Sequence, residues 1–484
     1  MKKKLLIVVA LVALVIISAL TLTACNKFKW DKIDGGNASA ASISNGGYVV
    51  EQGDYVYFVN GHVGSVDSND WGKAYKQSIM RCKKNADGTY DNSTAVVVVP
   101  KSIYYDNQKA GFAIFGNFIY YATPNLEKDK SGTASTTHTD FMRTSLDGTI
   151  TQRIATLNSR SNDFIFTPER ILYYTNNTIN YIDFSKMSTK KSTNNGKGAT
   201  SGVLAENVSS YFWGYDAEYT VGQGESVADY VFYTQTLTNS YEKYNELKAI
   251  RYDGCNGTTL ATVITYLTAD EIANGYTNYP EKVFTFSLKN VKIESDNQAT
   301  LYYTKSVQLG TSSATVVGTF ANKFNLGSSA FVVANEKQLS TQDISEVIGI
   351  SYDKGALIAS DSKYYYADGT DTKLAINKSA TVLTTLEINN NTYVYYLDSD
   401  KEKIYRVGIT AQDNETVIAT DCFADVSYDI DFVGSKVFYF GEDEYSYIHY
   451  VDLSKYAGEE VKATLLGKFN SEDQAKYDEE HKED

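Results

Sequence analysis

Tyr230-Val231-Phe232-Tyr233, then Ala249-Ile250-Arg251, then Asp253-Gly254: an aromatic run, an apolar pair closed by arginine, and a tight-turn dipeptide follow one another in a short space. The aromatic element recurs as Tyr55-Val56-Tyr57-Phe58, Phe118-Ile119-Tyr120-Tyr121, Ile171-Leu172-Tyr173-Tyr174, Leu301-Tyr302-Tyr303, Tyr364-Tyr365-Tyr366, Tyr393-Val394-Tyr395-Tyr396 and Val437-Phe438-Tyr439-Phe440. Spacings of roughly 30 to 70 residues mark a repeat architecture. Along an extended chain successive side chains point to opposite faces, so each run needs cover on both sides.

Radial sheets that shield one another provide that cover. The fold expected is therefore all-β: a β-propeller of eight blades, each a four-stranded antiparallel sheet. Seven blades is the alternative, because Tyr365 and Tyr395 are close together while Phe232 and Tyr302 are far apart, as if one doublet sat on a different strand. Apolar-plus-arginine elements recur at Ile79-Met80-Arg81, Phe141-Met142-Arg143 and Ile404-Tyr405-Arg406, and Asp-Gly recurs at Asp87-Gly88 and Asp147-Gly148. Asp-Gly favours the positive backbone angles of a hairpin, which places the turn between third and fourth strands. Fourth strands are then expected at 95–99, 150–156, 259–264 and 416–419. The segment 48–50 is expected to close the ring near the last blade.

Tyr173-Tyr174-Thr175-Asn176, Phe232-Tyr233-Thr234-Gln235, Tyr302-Tyr303-Thr304-Lys305 and Tyr365-Tyr366-Ala367-Asp368 resemble worn forms of the Tyr-Trp-Thr-Asp repeat of low-density-lipoprotein-receptor propellers. With the arginine and Asp-Gly elements, the chain is similar over 47–469 to the receptor-like propeller domain of bacterial lipoproteins of unknown function. The resemblance implies a propeller and transfers no site residue.

At the N-terminus Lys2, Lys3 and Lys4 precede an apolar run from Leu5 to Ile17, the pattern of a secretory signal. It ends in Leu22-Thr23-Ala24-Cys25, which resembles the lipobox of bacterial lipoproteins. That resemblance implies a signal peptide over 1–24 and a diacylglycerol on Cys25. Two acyl chains anchor stably, since each buried methylene contributes about 0.8 kcal/mol. Residues 25–47 read as a Gly/Ser/Ala-rich tether spanning roughly 25 Å, 48–470 as the propeller and 471–484 as a disordered acidic tail. The location expected is the outer face of the cell membrane.

The formal net charge of −14 becomes −17 when Lys2, Lys3 and Lys4 leave with the signal, which argues against nucleic acid as a partner. Four scattered histidines and no C-x-x-C pair give neither metal nor cofactor a foothold. Cys82, Cys255 and Cys422 remain; a bridge between Cys82 and Cys422 is open, and unpaired apolar cysteines are the simpler expectation. Between second and third strands lie long insertions at 60–77, 123–139 and 235–245, which emerge on one face. Asp67, Asp70 and Trp71, with Tyr241 and Tyr244, are the contact residues expected there, because aromatics among a few polar groups suit sugar or protein surfaces. The function expected is non-catalytic binding of a protein or glycan at the cell envelope. The rival is a glycan hydrolase with two carboxylates at the channel mouth.

Overall fold

The computed structural model describes residues 42–43, 48–61, 78–101, 103, 112–125, 138–158, 163–190, 196–214, 226–238, 243–255, 257–260, 264–266, 281–309, 312–327, 335–398, 400, 402–409, 411–423, 430–441, 447–455, 463–468, 475 and 479. Eight antiparallel sheets follow one another along the chain and close into a ring, an eight-bladed propeller. Blade 1 is typical: Val49–Gln52, Tyr55–Val59, Ile79–Lys84 and Tyr90–Val99 pair in chain order. Blades 2 to 8 begin their own meanders at Phe112, Phe164, Val208, Glu281, Val347, Thr381 and Cys422.

Alternation along the aromatic runs accounts for the stacking. Val394 and Tyr396 of blade 7 belong to the cluster shared with blade 6, whereas Tyr395 and Leu397 belong to the one shared with blade 8. Likewise Tyr230 and Phe232 face blade 5 while Val231 and Tyr233 face blade 3. Every junction between neighbouring blades holds such a cluster. Each buried aromatic or aliphatic side chain contributes about 1.5 to 3 kcal/mol.

Three details depart from expectation. The triplet Tyr364-Tyr365-Tyr366 lies on the third strand of blade 6, Lys363–Ala367, and the second strand there is Gly355–Ser360. That displacement explains the short interval from Tyr365 to Tyr395, while the extra strand Ile264–Tyr266 and the long strand Glu281–Ser295 fall within the long one from Phe232 to Tyr302, and the blade count is still eight. The fourth strand of blade 4 is only Thr258–Thr259; Ile264–Tyr266 instead adds an extra first strand to blade 5, opposite Glu281, Lys282 and Val283. Blade 2 gains an extra first strand in the same way, from Ser42–Ile43 against Ala113 and Ile114.

The arginine elements prove to be internal braces. Arg81 lies 4.1 Å over the Tyr55 ring, Arg143 4.8 Å over Phe118 and Arg406 4.6 Å over Tyr393. In each case the arginine on the third strand covers the aromatic diagonal to it on the second, a cation held over the negative face of a ring. The Asp-Gly turns do join third to fourth strands, and the carboxylate matters more than the glycine. Asp87 accepts from Thr89 N–H, Asp147 from Thr149, Asp183 from Ser185, Asp253 from Cys255, Asp368 from Thr370 and Asp452 from Ser454. Six blades thus share one aspartate-capped turn, of which the sequence displays only the Asp-Gly subset.

The ring closes without exchange of strands. Val49–Gln52 pairs inside blade 1 with Gln52, Glu51, Val50 and Val49 opposite Tyr55, Val56, Tyr57 and Phe58. It meets blade 8 through Asp431, whose Oδ2 accepts from Tyr48 N–H and Val49 N–H, 3.0 Å each. Tyr48 packs edge-on to Phe440, and Tyr90 to Tyr450. Cys82 and Cys422 are both buried and unbridged. Burial pushes the Cys82 thiol up to about 12, which keeps it protonated and inert.

Candidate functional site

Cys25, Asp67, Asp70, Trp71 and Tyr241 lie outside the described residues. Tyr244, expected in an insertion, is instead in the strand Lys243–Arg251, paired opposite Leu237 beside the connection that closes the hairpin. Two of the expected insertions do spring from second-to-third connections and are pinched shut at the base, where Asn60 N–H donates to Ser78 O and Asn125 N–H to His138 O. The third, 235–245, is mostly strand, because Tyr230–Thr238 and Lys243–Arg251 stay paired as far as Thr238 and Lys243.

Among the described residues, a cleft with room for a ligand lies between blades 5 and 6. It has a volume of about 490 Å³ and is lined by Gln338, Leu339, Ser340, Thr341, Gln342, Ile344, Ile358, Ser360, Tyr365 and Thr372. Small-molecule sites run from about 300 to 1,000 Å³. The strand Lys337–Ser340 is the outermost of blade 5, and Ser360 ends the second strand of blade 6. Ser360 is at the second-to-third end of blade 6, whereas Thr372 opens its fourth strand opposite Ala367 at the other end, so the cleft runs along the blade.

The buried cluster at this junction is Tyr302, Ala321, Leu339, Ile344, Val347, Ala356, Ile358 and Ala367, in which three fully buried alanines pack with the large Tyr302 ring. This part of the junction is tight. Tyr302 lies across Gly349, where a β-carbon would come within 2.3 Å of its ring, and its hydroxyl donates to Gly355 O at 3.0 Å.

Leu339, Ile344 and Ile358 form a buried apolar floor, and the half-buried Tyr365 ring stands beside it. The rim is polar and carries no charge. Gln338 spends one amide hydrogen on Val317 O, and Ser340 Oγ accepts from Gln342 N–H. Among the described residues, the side chains of Thr341, Gln342, Ser360, Tyr365 and Thr372 make no hydrogen bond, so their donors and acceptors are open to a ligand. Nearby charges are paired off: Asp343 with Lys289 at 3.0 Å, and Asp371 with Lys373 at 3.2 Å. Burial works to raise the Asp343 carboxyl, but Thr304 and Lys289 together hold it below its ordinary range.

A second aromatic group, between blades 3 and 4, is already self-satisfied. Tyr211 and Trp213 both donate to Asp163 Oδ2, each at 2.9 Å, and Tyr174 packs 4.4 Å from Tyr211. The adjacent cavity, at about 10 Å³, is the size of one water.

For carboxylate chemistry the notable group is Asp431, which burial pushes up to about 6 against the pull of the Val49 and Tyr48 N–H bonds. Its oxygen is engaged in ring closure. No cluster of metal-ligating side chains occurs among the described residues, and no helix there is long and apolar enough to cross a membrane.

The sequence signal for the cleft was Gln338-Leu339-Ser340-Thr341-Gln342, five uncharged residues in a chain with 21% charged residues. Without the fold, nothing places them against the Tyr364-Tyr365-Tyr366 triplet.

No protein-family model matches the sequence, and no curated protein matches it. Solved structures do. A puromycin-hydrolyzing peptidase of Mycobacterium tuberculosis is 10% identical with a TM-score of 0.36, over 73% of this chain and 52% of that one. The polysaccharide lyase Uly1 is 9% identical, TM-score 0.32, over 86% of this chain and 100% of that one. Sqt1 from Chaetomium thermophilum is 7% identical, TM-score 0.33, over 88% and 99%. This chain spans about half the length of the peptidase. At such identities and superpositions the likeness bears on neither activity nor ligand, and the fold rests on the eight sheets themselves.

Proposed function

We propose that this protein is a lipid-anchored, extracytoplasmic propeller that binds a cell-envelope ligand without transforming it. The observation that carries the reading is the blade 5–6 cleft: it is large enough for a ligand, polar at its rim, and lined by no carboxylate, histidine, cysteine or lysine. General acid–base and nucleophilic chemistry require such groups within hydrogen-bond reach of the reacting atoms. The Leu22-Thr23-Ala24-Cys25 motif behind a charged and apolar leader supports anchoring through Cys25, and the likeness to receptor-type propellers of bacterial lipoproteins agrees with a binding role.

A photo-crosslinking residue at Gln342 in the full chain, expressed in cells, tests the binding. Labelling of envelope material from position 342, and not from the exposed Val203 on blade 3, is the expected result. Equal labelling from both positions overturns the assignment of the site. Cys25→Ser is expected to abolish incorporation of a fatty-acid probe and release the protein from the membrane; unchanged retention overturns the anchor.

A further inference from the structure

Resting on that binding reading, we infer that the ligand of the blade 5–6 cleft is a neutral oligosaccharide. A sugar ring has an apolar face of C–H bonds and an edge of hydroxyl groups that both donate and accept. The cleft matches both. Leu339, Ile344 and Ile358 supply an apolar floor and Tyr365 a ring that offers its face to C–H groups. Around them Gln338, Ser340, Thr341, Gln342, Ser360 and Thr372 supply amides and hydroxyls, the groups that bond a hydroxyl whichever way its proton points.

Charge selects against the other candidates. An anionic glycan or a phosphate polymer finds no lysine or arginine in the lining itself; Lys289 and Lys373 nearby are held by Asp343 and Asp371, and Lys363, on the same face of its strand as Tyr365, stands at the margin opposite Ser360. A cationic ligand likewise finds no carboxylate in the lining. An extended peptide would instead pair its backbone with the outer edge of Lys337–Ser340, and an uncharged decapeptide as a probe separates that outcome from a sugar.

Size adds a limit. The cleft accommodates a few sugar units, so a long polymer is gripped locally and the remainder runs past the ring. The absence of acid–base groups from the lining favours reversible attachment.

Calorimetry on the full lipidated chain in detergent, with maltohexaose, cellohexaose and N-acetylated chitohexaose as neutral probes and oligogalacturonate and an uncharged decapeptide as counter-probes, decides the matter. At least one neutral hexasaccharide is expected to bind, with little change in affinity as salt is raised, since no ion pair is made. Tyr365→Ala and Gln342→Ala are each expected to weaken binding by about tenfold, while Tyr365→Phe, which retains the ring, changes it far less. Thermal unfolding of Gln342→Ala, an exposed site, checks that the fold is intact.

Binding of oligogalacturonate or the peptide alone, lost on Gln342→Ala, overturns the neutral-sugar inference and leaves the binding module standing. Neutral-sugar binding indifferent to both substitutions overturns the placement in this cleft. If no probe binds, the inference is wrong, and absent labelling from position 342 in cells would remove the binding reading with it. Shortening of any probe overturns the non-catalytic reading.

Discussion

Two junctions of the same ring have opposite characters. Where blade 8 meets blade 1, six aromatic residues share one cluster, Tyr48, Phe58, Tyr90, Phe438, Phe440 and Tyr450, and the cluster runs on toward blade 2 through Tyr57, Phe112 and Tyr121. Where blade 5 meets blade 6, the buried cluster has one aromatic and three alanines. At the first junction polar groups reach across and bind one another. Glu51 accepts from Tyr90 at 2.5 Å and pairs with Lys84 at 3.1 Å and Lys436 at 3.6 Å, Asn92 bonds Leu465 O and Gly467 N–H, and Asn60 bonds Lys468 O. At the second, polar groups stand idle over an open cleft. The stacking of blades is common to both, so side-chain size and the commitment of polar groups separate a closure from a binding site.

The largest effect is expected from Phe438→Ala at the closure, about 3 to 5 kcal/mol of stability measured by urea unfolding; Ile358→Ala in the cleft floor, with less packed on it, is expected to cost less. An equal loss at both would erase the contrast. Asp431→Ala comes next, because it strands the N–H groups of Tyr48 and Val49, at about 1 to 3 kcal/mol.

Acid response sharpens the comparison. The folded Asp431 carboxyl is raised to about 6, so its contribution to stability is present in acid and is lost as pH rises through 6. Asp431→Asn is expected to flatten the stability profile between pH 4 and 7. The turn aspartates behave in the reverse sense: hydrogen bonds from Thr370 and Asp371 hold Asp368 at about 2, and its contribution is lost only as pH falls below the ordinary carboxylate range toward 2. Asp147→Ala, removing an acceptor shared by Ser145 and Thr149, is expected to cost about 1 kcal/mol near neutral pH.

The smallest change expected is a gain. The Tyr396 hydroxyl is buried with no partner among the described residues, and Tyr396→Phe is expected to add about 1 kcal/mol by relieving it. A loss in the same unfolding assay would show that the hydroxyl is satisfied.

The fold was legible because alternation in a buried strand is a one-dimensional pattern: Tyr395 and Tyr396 face different neighbours simply by being adjacent. Asp-Gly spells four of the six turns, at Asp87, Asp147, Asp253 and Asp368, whereas Asp183-Phe184-Ser185 and Asp452-Leu453-Ser454 form the same turn without its familiar spelling. The blade 6 triplet misled only as to strand, since a tyrosine run satisfies either of two central positions. The cleft was illegible for a different reason. Its lining is drawn from the outermost strand of blade 5 and the residues that follow it, together with three different strands of blade 6 that supply Ile358 and Ser360, Tyr365, and Thr372. Residues so dispersed meet only when the two blades stack.

Closure by side chains has one more consequence. Apart from Ser42–Ile43, each blade is made from consecutive residues and lends no strand to its neighbour. The site of the chain ends is therefore interchangeable with other links between blades. A circular permutant opened between Ile376 and Thr381, with the native ends joined by a short linker, is a viable rearrangement of the same ring, and duplication of a whole blade is a natural way for such a protein to have grown.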